Sequence, residues 1–244
     1  MNHLDLFSGI GGFAYAAQQV WEGEHNIVSF VEREPFCQKV LNKHWPDVDI
    51  FDDIKEFKYD GQKTVDLLTG GFPCQPYSVA GNQKGSEDDR ALWPEMLRVI
   101  QESDPTWVIG ENVVGIINME LDNFIADLES QGYEVQTVII PAIGVGARHR
   151  RERVWIIAHT TSQGLEMFSE RHEINEKHDG ITSNTFSSYS SVKGIYGLPD
   201  SEHIRRNYGI PNRVDRLKGL GNAIVPQVVM PIMQCIKELM SKPQ

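Results

Sequence analysis

The sequence predicts an α/β protein built around a mostly parallel β-sheet with helices on both faces. Short apolar runs that predict strands alternate with amphipathic stretches that predict helices as far as residue 158, which is the chain order of a parallel sheet with crossover helices. Glu32, Cys74 and Glu111 each end or follow a predicted strand. In a parallel sheet such residues gather at the carboxyl edge, where ligands bind.

The strands are predicted from apolar runs bounded by turn residues. These patterns predict strands over residues 3–7, 26–32, 65–71, 106–113, 133–140 and 153–158, whereas 48–51 is short and ambiguous. The last two strands follow one another closely, so we expect them to form an antiparallel pair.

The helices are predicted from apolar residues that recur at three- and four-residue spacing. This spacing predicts helices over residues 13–21, from 35 through 41, about 91–101 and 121–132. Pro35 suits the first turn of its helix, where a missing N–H costs nothing. A last helix is expected near the end of the chain despite Pro226 and Pro231.

The composition fits one globular domain with a modest insert. The chain has 244 residues, of which 40% are hydrophobic and 23% charged. No apolar run is long enough to cross a bilayer, and the first residues lack the features of a signal peptide. The three cysteines are too widely separated for a disulfide framework or a zinc site. We therefore expect a cytoplasmic protein with no membrane segment and no metal.

Charge, local composition and hydrophobic periodicity divide the chain into three parts. The net charge of −11 argues against a general nucleic-acid coat, although residues 148–153 carry four arginines and one glutamate. Over residues 159–212 serines cluster and no period persists, which predicts a loop-rich insert. We expect a catalytic and cofactor-binding domain over 1–158, a small region over 159–212, and a segment over 213–244 that returns to the first domain.

The stretch DLFSGIGGF, from Asp5 to Phe13, predicts a strand, a glycine turn and the start of a helix. Glycines let a ligand approach the backbone, and Glu32, 20 positions after Gly12, suits a ribose hydroxyl. A glycine turn kept only for packing is an equally acceptable interpretation. The spacing is not GxGxxG and no Walker lysine follows, so a bound phosphate is not expected.

The stretch GGFPCQPYS places Cys74 on a stiff loop, because its two prolines exclude a helix interior and a central strand. A thiolate near arginines is a nucleophile, whereas a lone cysteine can also be a small buried apolar residue. Glu111, near the end of a buried strand, could act as a general acid toward a ring nitrogen or be a structural carboxylate. Arg151 and Arg153, two apart on a strand, should point the same way, as substrate contacts or as a salt-bridged edge.

Together these segments resemble the DNA (cytosine-5) methyltransferases of bacterial and phage modification systems. The resemblance covers roughly residues 4–158 and 213–228. DLFSGIGGF is similar to the family's cofactor motif, GGFPCQPYS to its nucleophile motif and ENV to its glutamate motif. RRERVWIIA is similar to its arginine motif and GLGNAIVPQV to its closing motif. The resemblance implies a Rossmann-like, S-adenosylmethionine-dependent methyltransferase sheet with a small target-recognition region.

The resemblance also implies a role for each matching residue. The residues implied for S-adenosylmethionine, and for its product S-adenosylhomocysteine, are Phe7, Gly9, Gly11, Glu32, Arg33, Asp53, Ile54, Pro73, Leu92 and Asn222. Cys74 would add to C6 of a flipped cytosine, and Glu111 would protonate or hydrogen-bond N3. Arg153 with Arg151 would hold O2 and the phosphate.

The implied partner is double-stranded DNA, bound by a protein that works as a monomer. The implied DNA-binding residues are Gln75, Ser78, Arg90, Arg205 and Arg206, and the loop over residues 78–90 would close as a lid. Aromatic and basic side chains alternate near Arg205 and Arg206, as base and phosphate contacts require. A disordered surface loop is the competing interpretation of this region.

Two departures from the family pattern and two alternatives stand beside this interpretation. His149 occupies a position where the family usually has glutamine, and the recognition region is unusually small. An RNA (tRNA) cytosine-5 methyltransferase on the same scaffold is one alternative. A catalytically idle DNA-binding homologue is the other, although the chain retains Cys74 and Glu111.

Overall fold

A computed structural model describes residues 1–73, 92–160 and 219–241. The strands within these ranges are β1 (Asn2–Leu6), β2 (Asn26–Val31), β3 (Ile50–Phe51), β4 (Leu67–Gly70), β5 (Trp107–Val113), β6 (Glu134–Pro141) and β7 (Glu152–His159). The α-helices are α1 (Gly12–Trp21), α2 (Pro35–His44), α3 (Trp93–Ser103), α4 (Leu121–Ser130) and α5 (Pro226–Met240). Short 3-10 segments, Val114–Asn118 and Ala142–Val145, follow β5 and β6.

The strands form one seven-stranded sheet in the order β3-β2-β1-β4-β5-β7-β6. Strands β1 to β5 are mutually parallel, and β7 runs antiparallel to both β5 and β6. The predicted α/β class, the helices on both faces and the antiparallel last pair are therefore confirmed. The ambiguous run at residues 48–51 contributes a two-residue edge strand.

Side-chain alternation along β5 divides the interior into two layers. Trp107 and Ile109 face α1 and α5, whereas Val108 faces the layer of α3 and α4. Because successive side chains of a strand point to opposite faces, Glu111 lies on the α5 side and Asn112 on the α3 side. This alternation decides which neighbours each polar side chain can reach.

Local sequence explains the beginnings of the helices. Gly11, with φ of 84°, precedes α1 in a left-handed conformation that glycine adopts without strain. Pro35 and Pro226 stand in the first turns of α2 and α5, where no N–H is needed. Pro231 lies inside α5. That helix persists because its apolar face packs against α1 and the sheet through Val228, Val229, Ile232, Met233 and Ile236.

The described ranges lack two features, a membrane-spanning helix and a cluster of metal ligands. No helix there is long and apolar enough to cross a membrane. Residues 1–73, 92–160 and 219–241 also contain no group of three or more metal-ligating side chains placed to hold an ion.

Candidate active site

The carboxyl ends of four parallel strands bring the predicted site residues to one edge of the sheet. Phe7 follows β1, Glu32 follows β2 and Gly71 follows β4, while Glu111 lies within the last three residues of β5. Strands β2, β1, β4 and β5 are consecutive neighbours in the sheet. Residues separated by up to 104 positions in sequence therefore lie along the same sheet edge only because of the strand order.

The glycine turn after β1 is held by hydrogen bonds within its own segment. Ser8 Oγ donates to the Asp5 carbonyl at 2.6 Å, and the Gly11 N–H donates to the Ser8 carbonyl at 2.9 Å. Phe7 and Gly9 have φ values of 52° and 56°. A Cβ on Gly9 would meet no atom of the described residues within 4 Å, so these residues leave space open beside this part of the turn.

Gly11 has a different reason to be glycine. A Cβ there would lie 2.5 Å from the Trp45 ring, a distance that real Cβ atoms do not tolerate. Packing therefore explains the glycine at position 11, whereas ligand approach at Gly9 stays a prediction.

Glu32 is buried and fastens the glycine turn to β2. Its Oε2 accepts the Gly9 N–H at 2.7 Å and its Oε1 accepts the Glu34 N–H at 2.6 Å. Burial raises the pKa of this carboxyl, and the backbone N–H donors partly oppose the rise. Because two carboxylate oxygens offer about four acceptor positions, Glu32 can still accept hydroxyl donors from a ligand.

The predicted cofactor residues near β3 make contacts that a local turn, the core and the surface explain without a ligand. Asp53 Oδ1 accepts the Lys55 N–H at 2.9 Å, which closes a local turn. Ile54 is buried in the core, and its carbonyl accepts Arg98 Nη2 at 2.7 Å. Arg33 is exposed on the loop after β2. Their contacts with a cofactor stay predictions.

Glu111 forms an ion pair with Arg153 from the neighbouring antiparallel strand. Arg153 Nε lies 2.9 Å from Glu111 Oε1. The strand register pairs Val113 with Arg153, so the arginine reaches diagonally along the same face. Burial raises the pKa of Glu111, and the charges of Arg153 and Arg151 oppose that rise.

The second oxygen of Glu111 faces the strand that leads to Cys74. A Cβ on Gly71 would lie 3.5 Å from Glu111 Oε2, an ordinary contact distance, so the carboxyl group lies directly beside Gly71. Gly71 is three residues before Cys74. The structure thus places the general-acid candidate beside the start of the nucleophile segment.

Asn112 is a functional candidate that the sequence interpretation did not single out. It is 2% exposed, and its Nδ2 donates to the Phe72 carbonyl at 3.3 Å, while Oδ1 accepts the Val113 N–H at 2.9 Å. It therefore fixes the chain just before Pro73. The available signal was a polar amide next to Glu111 in a strand whose remaining residues are apolar or glycine, since such a group needs a partner when buried.

Arg151 and Arg153 border one pocket with Glu111, Trp155 and Val228, in line with the expectation that they point the same way. Their partners differ, however. Arg153 pairs with Glu111, whereas Arg151 donates to the carbonyls of Gly221 and Ala223 at 2.8 and 2.9 Å.

The C-terminal segment packs beside the glycine turn. A Cβ on Gly12 would lie 2.7 Å from Ile224, and a Cβ on Gly219 would lie 3.4 Å from Ile10. Asn222 is exposed between these contacts. The predicted return of the distal segment to the cofactor motif thus has a packing basis, and the role of Asn222 stays a prediction.

Two further cofactor candidates border the gap in the described chain. Pro73 is half-buried at the end of the first described range, and Leu92 is half-buried at the start of the second, where it precedes α3. Cys74, Gln75, Ser78, Arg90, Arg205 and Arg206 lie outside the described residues. The three-part division of the chain is likewise a prediction.

A polar chain that the sequence interpretation missed runs from the half-buried His25 to the buried Asp5, just before the glycine turn. With neutral imidazoles, His25 Nε2 donates to His3 Nδ1 at 3.0 Å, and His3 Nε2 donates to Thr69 Oγ1 at 2.7 Å. Thr69 in turn donates to Asp5 Oδ1 at 2.6 Å. Burial raises the pKa of Asp5 to about 8. Burial likewise lowers the pKa of His25 to about 4, with the N-terminal charge as a second cause.

Comparisons with known proteins agree on the family. The sequence profile described as C-5 cytosine-specific DNA methylase matches residues 1–195. The chain is 32% identical over 160 residues to Type II methyltransferase M.NgoMIV of Neisseria gonorrhoeae, covering 64% of this chain and 50% of that protein. It is 33% identical over 161 residues to orphan methyltransferase M.SPRI of Bacillus phage SPR, covering 63% and 36%.

Solved structures show the same fold. The S. pombe Dnmt2 methyltransferase matches 99% of this chain and 100% of its own, with a TM-score of 0.67 at 17% identity. The chain belongs to the C-5 cytosine-specific DNA methylase family. It spans half or less of the length of the two curated relatives named above.

Proposed function

We propose that this member of the C-5 cytosine-specific DNA methylase family methylates C5 of cytosine at a specific site in double-stranded DNA. One observation carries the proposal most directly. A buried glutamate, Glu111, is paired with Arg153 and lies beside the strand end that leads to Cys74. The same sheet edge carries the glycine turn and Glu32, so a base pocket and a cofactor pocket would be neighbours.

The proposed methyl donor is S-adenosylmethionine, which supplies an activated methyl group when bound. The open space at Gly9 and the remaining acceptor capacity of Glu32 fit a nucleoside with ribose hydroxyls. The other residues proposed to hold it are Phe7, Gly11, Arg33, Asp53, Ile54, Pro73, Leu92 and Asn222.

Glu111 is suited to act on N3 of the target base. Because burial raises its pKa, the carboxyl group keeps a proton to a higher pH than an exposed glutamate and can donate it to a ring nitrogen. The guanidinium of Arg153 opposes this rise and holds the carboxyl group in one orientation. In the proposed site Arg153 also hydrogen-bonds O2 of the base.

Cys74 is the proposed nucleophile, and this proposal rests on its place in the sequence, three residues after Gly71. Its thiolate forms a bond to C6 of the cytosine while Glu111 protonates or hydrogen-bonds N3, so electron density moves to C5. C5 then takes the methyl group that the bound cofactor would supply, and S-adenosylhomocysteine would be the leaving group. Loss of the C5 proton to water or another base, release of Cys74 as thiolate and return of any N3 proton to Glu111 restore the aromatic ring.

The DNA must open for this chemistry, because C6 and C5 of a stacked cytosine are not accessible to a side chain. The residues proposed to contact DNA are Gln75, Ser78, Arg90, Arg205 and Arg206. Arg205 and Arg206 belong to the proposed target-recognition region over residues 159–212, which would read the sequence flanking the target base.

The deciding experiment incubates the full chain with S-adenosylmethionine and unmethylated genomic DNA, followed by sequencing that reads 5-methylcytosine. We expect methylated cytosines in one short sequence context. The same protein is offered transfer RNA in parallel. Methylation of RNA alone would replace the DNA proposal with the RNA alternative, and methylation of neither, with cofactor binding intact, would support an idle DNA-binding homologue.

A further inference from the structure

Arg151 makes an unusual pair of contacts for an arginine bordering a base pocket. Its Nη1 donates to the Gly221 carbonyl at 2.8 Å, and its Nη2 donates to the Ala223 carbonyl at 2.9 Å. These two carbonyls flank Asn222. A guanidinium can bind two acceptors at once because its donors form a planar fork. The arginine therefore grips the backbone on both sides of a single residue.

The backbone of Arg151 is fixed just before β7. Its φ of 34° is a left-handed conformation that costs a non-glycine residue energy. Its carbonyl accepts the Ala142 N–H at 3.2 Å, and the next residue begins β7. The guanidinium is thus presented from a backbone fixed between β6 and β7.

The gripped segment touches the cofactor motif on its other side. Ile224 lies against Gly12, where a Cβ would approach it to 2.7 Å, and Gly219 lies against Ile10. The Ala223 N–H donates to the Gly219 carbonyl at 3.0 Å, which closes a short helical turn over residues 219–222. The carbonyls at the end of such a turn lack helical partners and favour a cation.

We propose that Arg151 is a positioning residue for the cofactor side of the site and that it acts by clamping the turn carrying Asn222 onto the glycine motif. The proposal rests on the proposed function and departs from the role that the family resemblance implies for Arg151, contact with the base and the phosphate. Arg151 and Arg153, two residues apart, then serve different pockets: one orders the cofactor turn and the other holds Glu111.

The test compares R151A and R151K with wild type in the full chain. Two readouts are used: titration calorimetry with S-adenosylhomocysteine, and amide hydrogen exchange of peptides covering residues 219–225. R150A is the matched control, because the Arg150 side chain is 77% exposed and pairs with Glu152 at the surface. Circular dichroism confirms that each variant is folded.

For R151A we expect roughly tenfold to hundredfold weaker binding of S-adenosylhomocysteine and faster exchange in residues 219–225, since two charge-assisted hydrogen bonds are lost. R151K should fall between wild type and R151A, because an ammonium replaces the fork with a point charge. In methylation assays R151A should raise KM for S-adenosylmethionine by a larger factor than it lowers kcat.

Unchanged binding and unchanged exchange in R151A would overturn the inference, as would a loss in kcat with KM unaltered, which would indicate a base or phosphate contact. An equal effect of R150A would also overturn it. If wild type itself fails to bind S-adenosylhomocysteine, the proposed cofactor and the cofactor part of this inference both fail. In that case the amide exchange of residues 219–225 alone tests whether Arg151 holds this segment, and unchanged exchange in R151A would overturn the clamp.

Discussion

The two buried glutamates of the site differ in what compensates their charge. Glu32 and Glu111 are equally hidden, each 8% exposed, and burial raises the pKa of both. Glu32 is held by backbone N–H groups of Gly9 and Glu34. Glu111 is held by the guanidinium of Arg153.

This difference separates a fixed acceptor from a group that can exchange a proton. Backbone donors cannot move away or accept a proton, so they keep both Glu32 oxygens as acceptors in constant positions. Among the described residues, one guanidinium pairs with one oxygen of Glu111, and the other oxygen lies beside Gly71, which leaves it for the proposed substrate. We therefore propose that Glu32 serves binding and that Glu111 serves proton chemistry.

The largest effect is expected when the proposed nucleophile, Cys74, is removed from the proposed base pocket. C74A should reduce methyl transfer to background, because no other group forms the bond to C6, while S-adenosylhomocysteine binds as in wild type. Turnover is measured with a cytosine-containing duplex and binding by calorimetry. Retained turnover would contradict the covalent mechanism. Lost binding of S-adenosylhomocysteine would show that Cys74 also supports the cofactor pocket, so the base and cofactor pockets would not be separate.

The next effect concerns Glu111. E111Q keeps the shape of the side chain but removes the proton donor, so kcat should fall by about 10²- to 10⁴-fold with little change in cofactor affinity. Single-turnover methylation and calorimetry measure the two quantities. E134Q, an exposed glutamate on β6, is the control and should match wild type. If E111Q lost more cofactor affinity than kcat, Glu111 would serve cofactor binding and not proton chemistry.

A smaller and opposite pattern is expected for Glu32. In E32Q one amide N–H₂ would face a backbone N–H donor, which breaks a charge-assisted hydrogen bond, so we expect cofactor affinity to fall by about 10- to 100-fold. At saturating S-adenosylmethionine, kcat should stay within a fewfold of wild type. E34Q, on the same loop, keeps the backbone N–H that Glu32 accepts and is the control. A kcat defect that saturation does not rescue would contradict the binding role.

The last expected effect is on stability and concerns Asp5, which lies in β1 just before the glycine turn. Burial raises its pKa to about 8, so in the native state it stays protonated while an unfolded aspartate ionises near pH 4. The unfavourable contribution to native stability is absent below about pH 4, grows as the pH rises and is complete above about pH 8.

D5N cannot ionise and should therefore gain stability over wild type as the pH rises, by up to about 5 kcal/mol for a shift of about four units. Denaturant unfolding of both proteins between pH 5 and pH 9 measures the difference. A difference that does not change with pH would show that Asp5 ionises in the folded protein as it does in the unfolded chain.

Much of the site could be predicted from sequence because its residues end strands. The run before Cys74, the acid after β2 and the glutamate in β5 each follow apolar patterns, and a parallel sheet brings strand ends together. The pairing of Glu111 with Arg153 was not predicted from periodicity. It depends on β7 entering the sheet in antiparallel register beside β5, and no local pattern specifies that register.

The other missed contacts have the same origin. Arg151 binds carbonyls 70 and 72 positions away, and backbone carbonyls carry no sequence signal because every residue has one. The chain from His25 through His3 and Thr69 to Asp5 depends on β1 lying directly beside β4. Each of these side chains is ordinary in its local sequence.

The amino-acid sequence by itself determined the α/β class, the order of the elements and the identity of the chemical groups, because apolar periodicity and turn residues act over a few positions. The tertiary structure alone decided which groups compensate each buried charge. Hydrogen bonds and ion pairs require contact at about 3 Å, and only strand order and register bring Arg153 to Glu111 and Arg151 to the turn around Asn222.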